Sequence, residues 1–295
     1  MNAGTVPCSP SLWYNIGVMT FELLVSCVRK DPHELADKMN IASDAVIVSQ
    51  KEDTDSEKEY VKGTDHIRFI TQTGQGVGLS RNTCLAASMA DVILFSDEDI
   101  VYEKEYAYTV MREFDAHPEA DILLFNVKVC DERRTYWNED FRQVKWYNCG
   151  RYPAYSIAAR ASALKMSGVK FSLLFGGGAK YSNGEDSLFL SDCLKAGLKL
   201  YATPVCIGEE IPRPSTWFNG YTDKFFYDRG VLYHFLYGKT AKLWGYRWLL
   251  KMKPQYSGDI TFDKAKRLLF LGIADGDDAD REFDEEGNMT DADGN

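Results

Sequence analysis

The sequence predicts an α/β fold, a mostly parallel sheet flanked by helices, and three observations carry that prediction. Short apolar runs recur about every 25 residues, segments of helical pattern lie between them, and the 295-residue chain is 45% hydrophobic and 26% charged. A chain of this length and composition buries a substantial core, and collagen-like, low-complexity or wholly disordered architectures are excluded.

The elements run in order along the chain. Phe21–Cys27 (FELLVSC) reads as a buried strand. Pro32–Met39 reads as a helix with Asp31 as N-cap and Pro32 at its first position. Ala45–Ser49 and His66–Thr71 are the next strands, Leu79–Met89 a helix, and Asp91–Phe95 a further strand. Glu103–Phe114 reads as helix, Asp121–Val129 as strand, and Ala158–Met166 and Asp186–Lys195 as helices. Gly197 ends the last of these before the strand Leu198–Ala202. Strand–helix alternation of this kind gives right-handed parallel units, whose ligands bind at the carboxyl ends of the strands.

Composition narrows the chemistry. Lys and Arg total 34, Asp and Glu 44, for a formal charge of -10, but ten of the acids and a single base, Arg281, lie within residues 275–295. The remainder is almost neutral, so the acidity belongs to a tail, which reads as disordered. That tail is no calcium loop, since Asp280 stands where an EF-hand counted from Asp275 needs glycine. Seven scattered cysteines without a C-x-x-C pair, and only four histidines, fit neither a disulfide framework nor a zinc centre. No apolar run is long enough to span a bilayer, and residues 1–20, an extension ahead of the first strand, lack a basic start. Reduced cysteines and no export signal point to the cytoplasm.

Three motifs fall at strand ends or helix starts. Phe95-Ser96-Asp97-Glu98-Asp99 places three acids directly after a buried strand, a cluster that needs a positive neighbour and suits Mg²⁺ or Mn²⁺ shared with phosphate oxygens. A solvated turn is the plain alternative. Gly74–Gly78 has G-x-G-x-G spacing and lies after the third strand, so it is not a dinucleotide fingerprint. It is a flexible loop leading into a helix with Arg81 in the first turn, where a phosphate or polar base could bind. Asn183-Gly184-Glu185-Asp186 opens another helix, and of its two adjacent carboxylates at most one can cap. Phe175–Gly178, with Gly177 and Gly178, reads as a mobile rim on the acceptor side.

In this order and spacing, Gly76 to Asn82, Asp97-x-Asp99 and Gly184-Glu185-Asp186 resemble the family 2 glycosyltransferases of GT-A fold, of the type that builds bacterial surface polysaccharides. The resemblance covers about residues 21–205. It implies a UDP-sugar or similar donor, Mn²⁺ or Mg²⁺ as cofactor, and inverting transfer to a hydroxyl of a glycan or glycolipid. By position, it makes Asp186 the general base and Asp99 the metal ligand. Ser26, Cys27, Asp53, Arg81, Asn82 and Asp97 become donor-binding residues, with Glu185 beside the acceptor. Ser26–Arg29 and Ser49–Asp53 depart from the runs usual in the family at those strand ends. The rival from another class is a non-catalytic GT-A-like module binding a sugar nucleotide or glycan, which would not need a base.

The catalytic domain so defined is 21–211, with a helical extension over 212–274 and the tail 275–295 after it. Trp217, Tyr221, Tyr227, Tyr233, Tyr237, Trp244, Tyr246, Trp248 and Tyr256 enrich the extension in aromatics. From Tyr233 to Tyr256 there are five bases (Lys239, Lys242, Arg247, Lys251, Lys253) and no acid. Two readings stand side by side: a peripheral contact with an anionic membrane surface, or a helix packing its aromatics onto the catalytic domain. A near-neutral body argues against nucleic acid as a partner.

Overall fold

In the computed structural model, which describes residues 19–131, 133–212, 220–278 and 289, the first apolar run forms β1 (Phe21–Val28), buried at every position but the last. After β1 comes α1 (Pro32–Lys38), whose Asp31 cap accepts from the amides of His33 and Glu34. β2 (Ala45–Gln50) is buried throughout. Strands covered on both faces need continuous apolar sequence, which is why these two were legible. β3 (Ser56–Lys62) and β4 (Asp65–Gln72) form an antiparallel hairpin. α2 (Val77–Ala87), β5 (Val92–Asp97), the short β6 (Ile100–Tyr102), α3 (Tyr106–Ala116) and β7 (Ile122–Lys128) come next. Then come β8 (Arg142–Gln143), β9 (Ile157–Arg160), α4 (Ala161–Ser167), α5 (Glu185–Lys195) and β10 (Leu200–Glu210). The chain continues as α6 (Asp223–Tyr237), α7 (Ala241–Tyr256) and α8 (Phe262–Asp275).

The sheet runs β3-β4-β2-β1-β5-β9-β7-β10-β6, with β8 on β10. β4, β2, β1 and β5 pair in parallel, as do β7 and β10. One face packs Leu23, Val25, Ile47 and Leu94 against α1 and α3; the other packs Leu24, Val48 and Phe95 against α2 and α5.

Three departures from the sequence reading have physical causes. Ala158–Met166 is not one helix: Ile157–Arg160 is a strand inserted antiparallel between β5 and β7, and only Ala161–Ser167 is helical. Ala158 and Ala159 are fully buried there, and ladder bonds on both sides override alanine's helix preference, worth only a few tenths of a kcal/mol per residue against ordinary residues. β3 (SEKEYVK) is an exposed edge strand without an apolar face, so no periodicity marks it. β10 continues past Ala202 through Pro204, with register shifts that absorb the proline.

The extension is three helices around a core that they share with Phe175, Tyr181 and Leu188. Tyr227, Tyr233 and Tyr256 are buried in it, so much of the aromatic content is packing. α6 and α8 approach at Gly230 and Gly272: a Cβ on Gly230 would stand 2.1 Å from the Leu269 carbonyl oxygen, and one on Gly272 2.2 Å from that of Tyr227. Asp275 closes α8 and accepts from Tyr227 Oη at 2.9 Å, so the first tail residues, to Asp278, are ordered. Most of residues 279–295, nearly all of residues 1–20 and Trp217 lie outside the described residues.

Candidate active site

β1 has β2 on one side and β5 on the other, and the chain winds outward through β2 and β4 before returning by α2 to β5. This is a topological switch point, where the loops at the carboxyl ends diverge and leave a crevice. Ser26 of β1 stands in register with Asp97 of β5 at that edge. α2 enters from above the crevice, and α5 brings its N-terminus to the same place.

The centre is Arg81, only 2% exposed. Its Nη2 donates to Asp97 Oδ1 at 2.8 Å, and its Nη1 donates to Glu185 Oε1 and Asp186 Oδ1, both at 2.9 Å. Burial disfavours the guanidinium charge, but Asp97, Asp186 and Glu185 outweigh it and raise the group above its ordinary range. One cation thus faces three carboxylates. The excess is felt at Asp186, whose carboxyl holds its proton more tightly than usual, pushed well above the usual range by burial and then by Glu185, with Arg81 opposing. A carboxylate so raised is a stronger base.

The two acids at the start of α5 are not equivalent. Glu185 is 5% exposed and also accepts from the Gly184 amide at 3.1 Å. It lies so close to Gly176 that a Cβ there would stand 2.7 Å from its carboxyl carbon. The Asp186 side chain keeps 22% of its surface exposed. Of the two, Asp186 is the one that is partly open to solvent.

The other expected residues divide. Ser26 Oγ is buried and has no partner, as a group kept for a ligand would be. Asp99 is 4% exposed, and its carbonyl accepts from the Ile211 amide at 2.7 Å. Asp53 is 96% exposed in the loop after β2, 3.4 Å from Arg29. Cys27 points into the core toward the Val48 carbonyl, and burial pushes its thiol up to about 12, so it offers nothing to a donor. Asn82 spends both ends of its amide on the backbone of Phe171, at 2.8 and 2.9 Å; it latches the α4–α5 connection instead of facing a nucleotide. Arg81 likewise is committed to carboxylates and not free for phosphate.

The Phe175–Gly178 segment is tied into the wall of the site, contrary to a loose rim. The Val77 amide donates to the Gly177 carbonyl at 2.9 Å, and Gly178 adopts φ +79° against Gln75. A brace invisible in the sequence fixes the approach to α5: Asp228 of α6 accepts from the Ser182 amide and hydroxyl, each at 3.0 Å, and from Lys224. Leu232 of α6 packs against Gly184, where an added Cβ would meet it at 2.5 Å. The pairing of residues some 46 positions apart leaves no local signal.

No group of three metal-ligating side chains occurs among the described residues. Asp97 has its carboxylate on Arg81 and Asp99 is 4% exposed, so these two acids would suit Mg²⁺ or Mn²⁺ only with phosphate oxygens completing the shell. A cleft of about 530 Å³, lined by Lys145, Trp146, Leu194, Lys195, Leu236 and Tyr237, opens at the far end of α5 from Asp186.

The family model described as Glycosyl transferase family 2 matches residues 39–171, a segment that holds Arg81, Asp97 and Asp99. No curated protein matches the sequence. The fold is similar to S. aureus TarS 1–349 in complex with UDP-GlcNAc, at 16% identity and TM-score 0.58, over 82% of this chain and 74% of that one. The same S. aureus fragment with UDP gives 15% and 0.56, over 83% and 77%. A longer S. aureus TarS structure gives 14% and 0.53, with 46% of that chain covered. At such identities the likeness shows the fold, which is GT-A-like.

Proposed function

We propose that this chain, a glycosyltransferase whose residues 39–171 form a family 2 domain, moves a sugar with inversion from a UDP-sugar to a hydroxyl of a glycan or glycolipid acceptor, in surface-polysaccharide synthesis. The observation that carries the reading is the convergence of Asp97, Glu185 and Asp186 on Arg81 at the switch point. A module that only bound sugars would gain nothing from three carboxylates around one buried cation.

In this reading Asp186 accepts the proton of the acceptor hydroxyl as its oxygen attacks the anomeric carbon. The bond from that carbon to the donor diphosphate breaks on the opposite face, and the nucleoside diphosphate leaves. A divalent cation, when bound, supplies positive charge to the leaving diphosphate. Asp99 would hold it, with Asp97 and Ser26 on the donor side. Arg81 and Glu185 fix where Asp186 stands. That the fold is shared with a TarS fragment solved with UDP-GlcNAc and UDP supports the choice of UDP. Among the described residues no helix is long and apolar enough to cross a membrane. We place the protein in the cytoplasm, docked peripherally through 233–256.

The test is a panel of UDP- and GDP-sugars with and without Mn²⁺, read by thermal shift and by release of nucleoside diphosphate. A metal-dependent shift with UDP-sugars and slow hydrolysis, lost in Asp99→Ala, is expected. No shift with any donor contradicts the reading.

A further inference from the structure

The aromatics of the C-terminal extension mostly fill a core, yet α7 keeps one face outside it. Ala241, Gly245, Leu249 and Tyr256 are buried and Trp244, Trp248 and Met252 pack on the same cluster, which is the inward face. On the outward face Leu243 is 68% exposed, Leu250 52% and Tyr246 42%. At about 100° per residue, Leu243, Tyr246, Leu250 and Pro254 fall within one strip about 80° wide along the helix. Lys242 and Lys253 flank it on one side and Arg247 and Lys251 on the other, all exposed. α7 contains no acid.

Large apolar side chains left in water on one helical stripe call for a partner. Cations bordering both edges, with no acid between, make that partner an anionic surface whose edge lies parallel to the helix axis. Two of the lysine heads lie over rings of the neighbouring helix: Lys242 Nζ is 5.9 Å from the ring centre of Phe270 and Lys253 Nζ 5.6 Å from that of Phe262. Heads held at the border of the strip can reach headgroup phosphates while the leucines enter the acyl boundary. Among neighbouring acids, Asp263 and Asp259 are exposed near Phe262, and Asp223 is paired with Lys264.

We infer that the outward face of α7 is a membrane-docking surface for anionic lipid, with Leu243, Tyr246 and Leu250 inserted and Lys242, Arg247, Lys251 and Lys253 on the headgroups. The inference deepens the proposed peripheral location and rests on it. It also gives the docking a mechanical link to the site, because α7 packs on α6 and α6 carries the Asp228 and Leu232 contacts that brace the start of α5. A lipid-linked acceptor would then arrive at a site whose wall is built on the docked helices.

The test is co-sedimentation of the full chain with vesicles of one-third phosphatidylglycerol in phosphatidylcholine, and with phosphatidylcholine alone. Binding to the anionic vesicles only, weakened by salt, is expected. Leu243→Ser with Leu250→Ser, and separately Arg247→Glu with Lys251→Glu, should each lower it about tenfold or more at unchanged melting temperature. Donor binding without vesicles should be the same in all of them, which separates this surface from the catalytic reading. Equal binding to both vesicle types, none to either, or undiminished binding in both double variants overturns the inference. So does a dimer in solution that the serine variant dissociates, since a second copy would then cover the strip.

Discussion

Arg81 and Asp186 are 105 positions apart in the chain, and their side chains meet at 2.9 Å. The pair joins the helix after the third parallel strand to the helix that opens with Gly184. Because Arg81 also binds Asp97 and Glu185, three carboxylates depend on one guanidinium.

That dependence predicts a large stability effect. Arg81→Met should leave two or three desolvated carboxylates without a cation and cost about 3–5 kcal/mol in urea unfolding. A loss below about 1 kcal/mol would mean the cluster is hydrated and the ion pairs loose.

Asp186→Asn should do the reverse to the fold. Its carboxyl is raised above the ordinary range, so the folded state binds that proton more tightly than the unfolded chain. Its contribution to stability is therefore full below about pH 4, the ordinary carboxylate value, and is lost as pH rises through the raised folded value. The variant should melt at or above the parent temperature near neutrality, with the difference closing in acid. A lower melting temperature near neutrality contradicts the charge excess.

The same shift sets the pH dependence of transfer. A general base works ionised, so the rate should climb with pH along a limb lying above the usual carboxylate range of about 4. Asp186→Asn should flatten that limb, and Glu185→Gln should keep it but move it to lower pH, since the Glu185 charge is one cause of the shift.

The braces from α6 predict an effect at a distance from the chemistry. Gly184→Ala puts a Cβ 2.5 Å from Leu232 at a φ of +116°, a strain that small side chains do not relieve. Transfer should fall, with donor affinity held. If Leu232→Ala restores transfer in that background, the clash dominates; no loss at all in Gly184→Ala would show that the start of α5 is not held by α6.

The parallel half of the fold was legible because both faces of β1, β2, β5 and β7 are buried, and continuous apolar runs announce such strands. β9 was not, since its alanines carry no strand preference and their place is fixed by β5 and β7. At the site, Asp97 and Asp186 stand out in the sequence because three acids cluster after a buried strand and two adjacent acids open a helix where at most one can cap. Arg81 stands out too, but as a donor contact; its carboxylate partners give no signal, because a guanidinium beside a glycine loop looks the same whether it meets phosphate or carboxylate. Asn82 and Cys27 show the same limit, their side chains turned by Phe171 and by the core. Asp228 and Leu232 gave no signal, because their roles exist only once α6 lies against Gly184.

The central claim is that Asp186 is the general base. The measurement that tests it most directly is the rate of sugar transfer beside donor affinity, for the parent, Asp186→Asn and Glu185→Gln, with the donor and acceptor that the panel of sugar nucleotides identifies. A loss of roughly 10²–10⁴-fold in rate is expected for Asp186→Asn with donor affinity unchanged, and a milder loss for Glu185→Gln. Near-parent transfer by Asp186→Asn, with or without loss in Glu185→Gln, would contradict it.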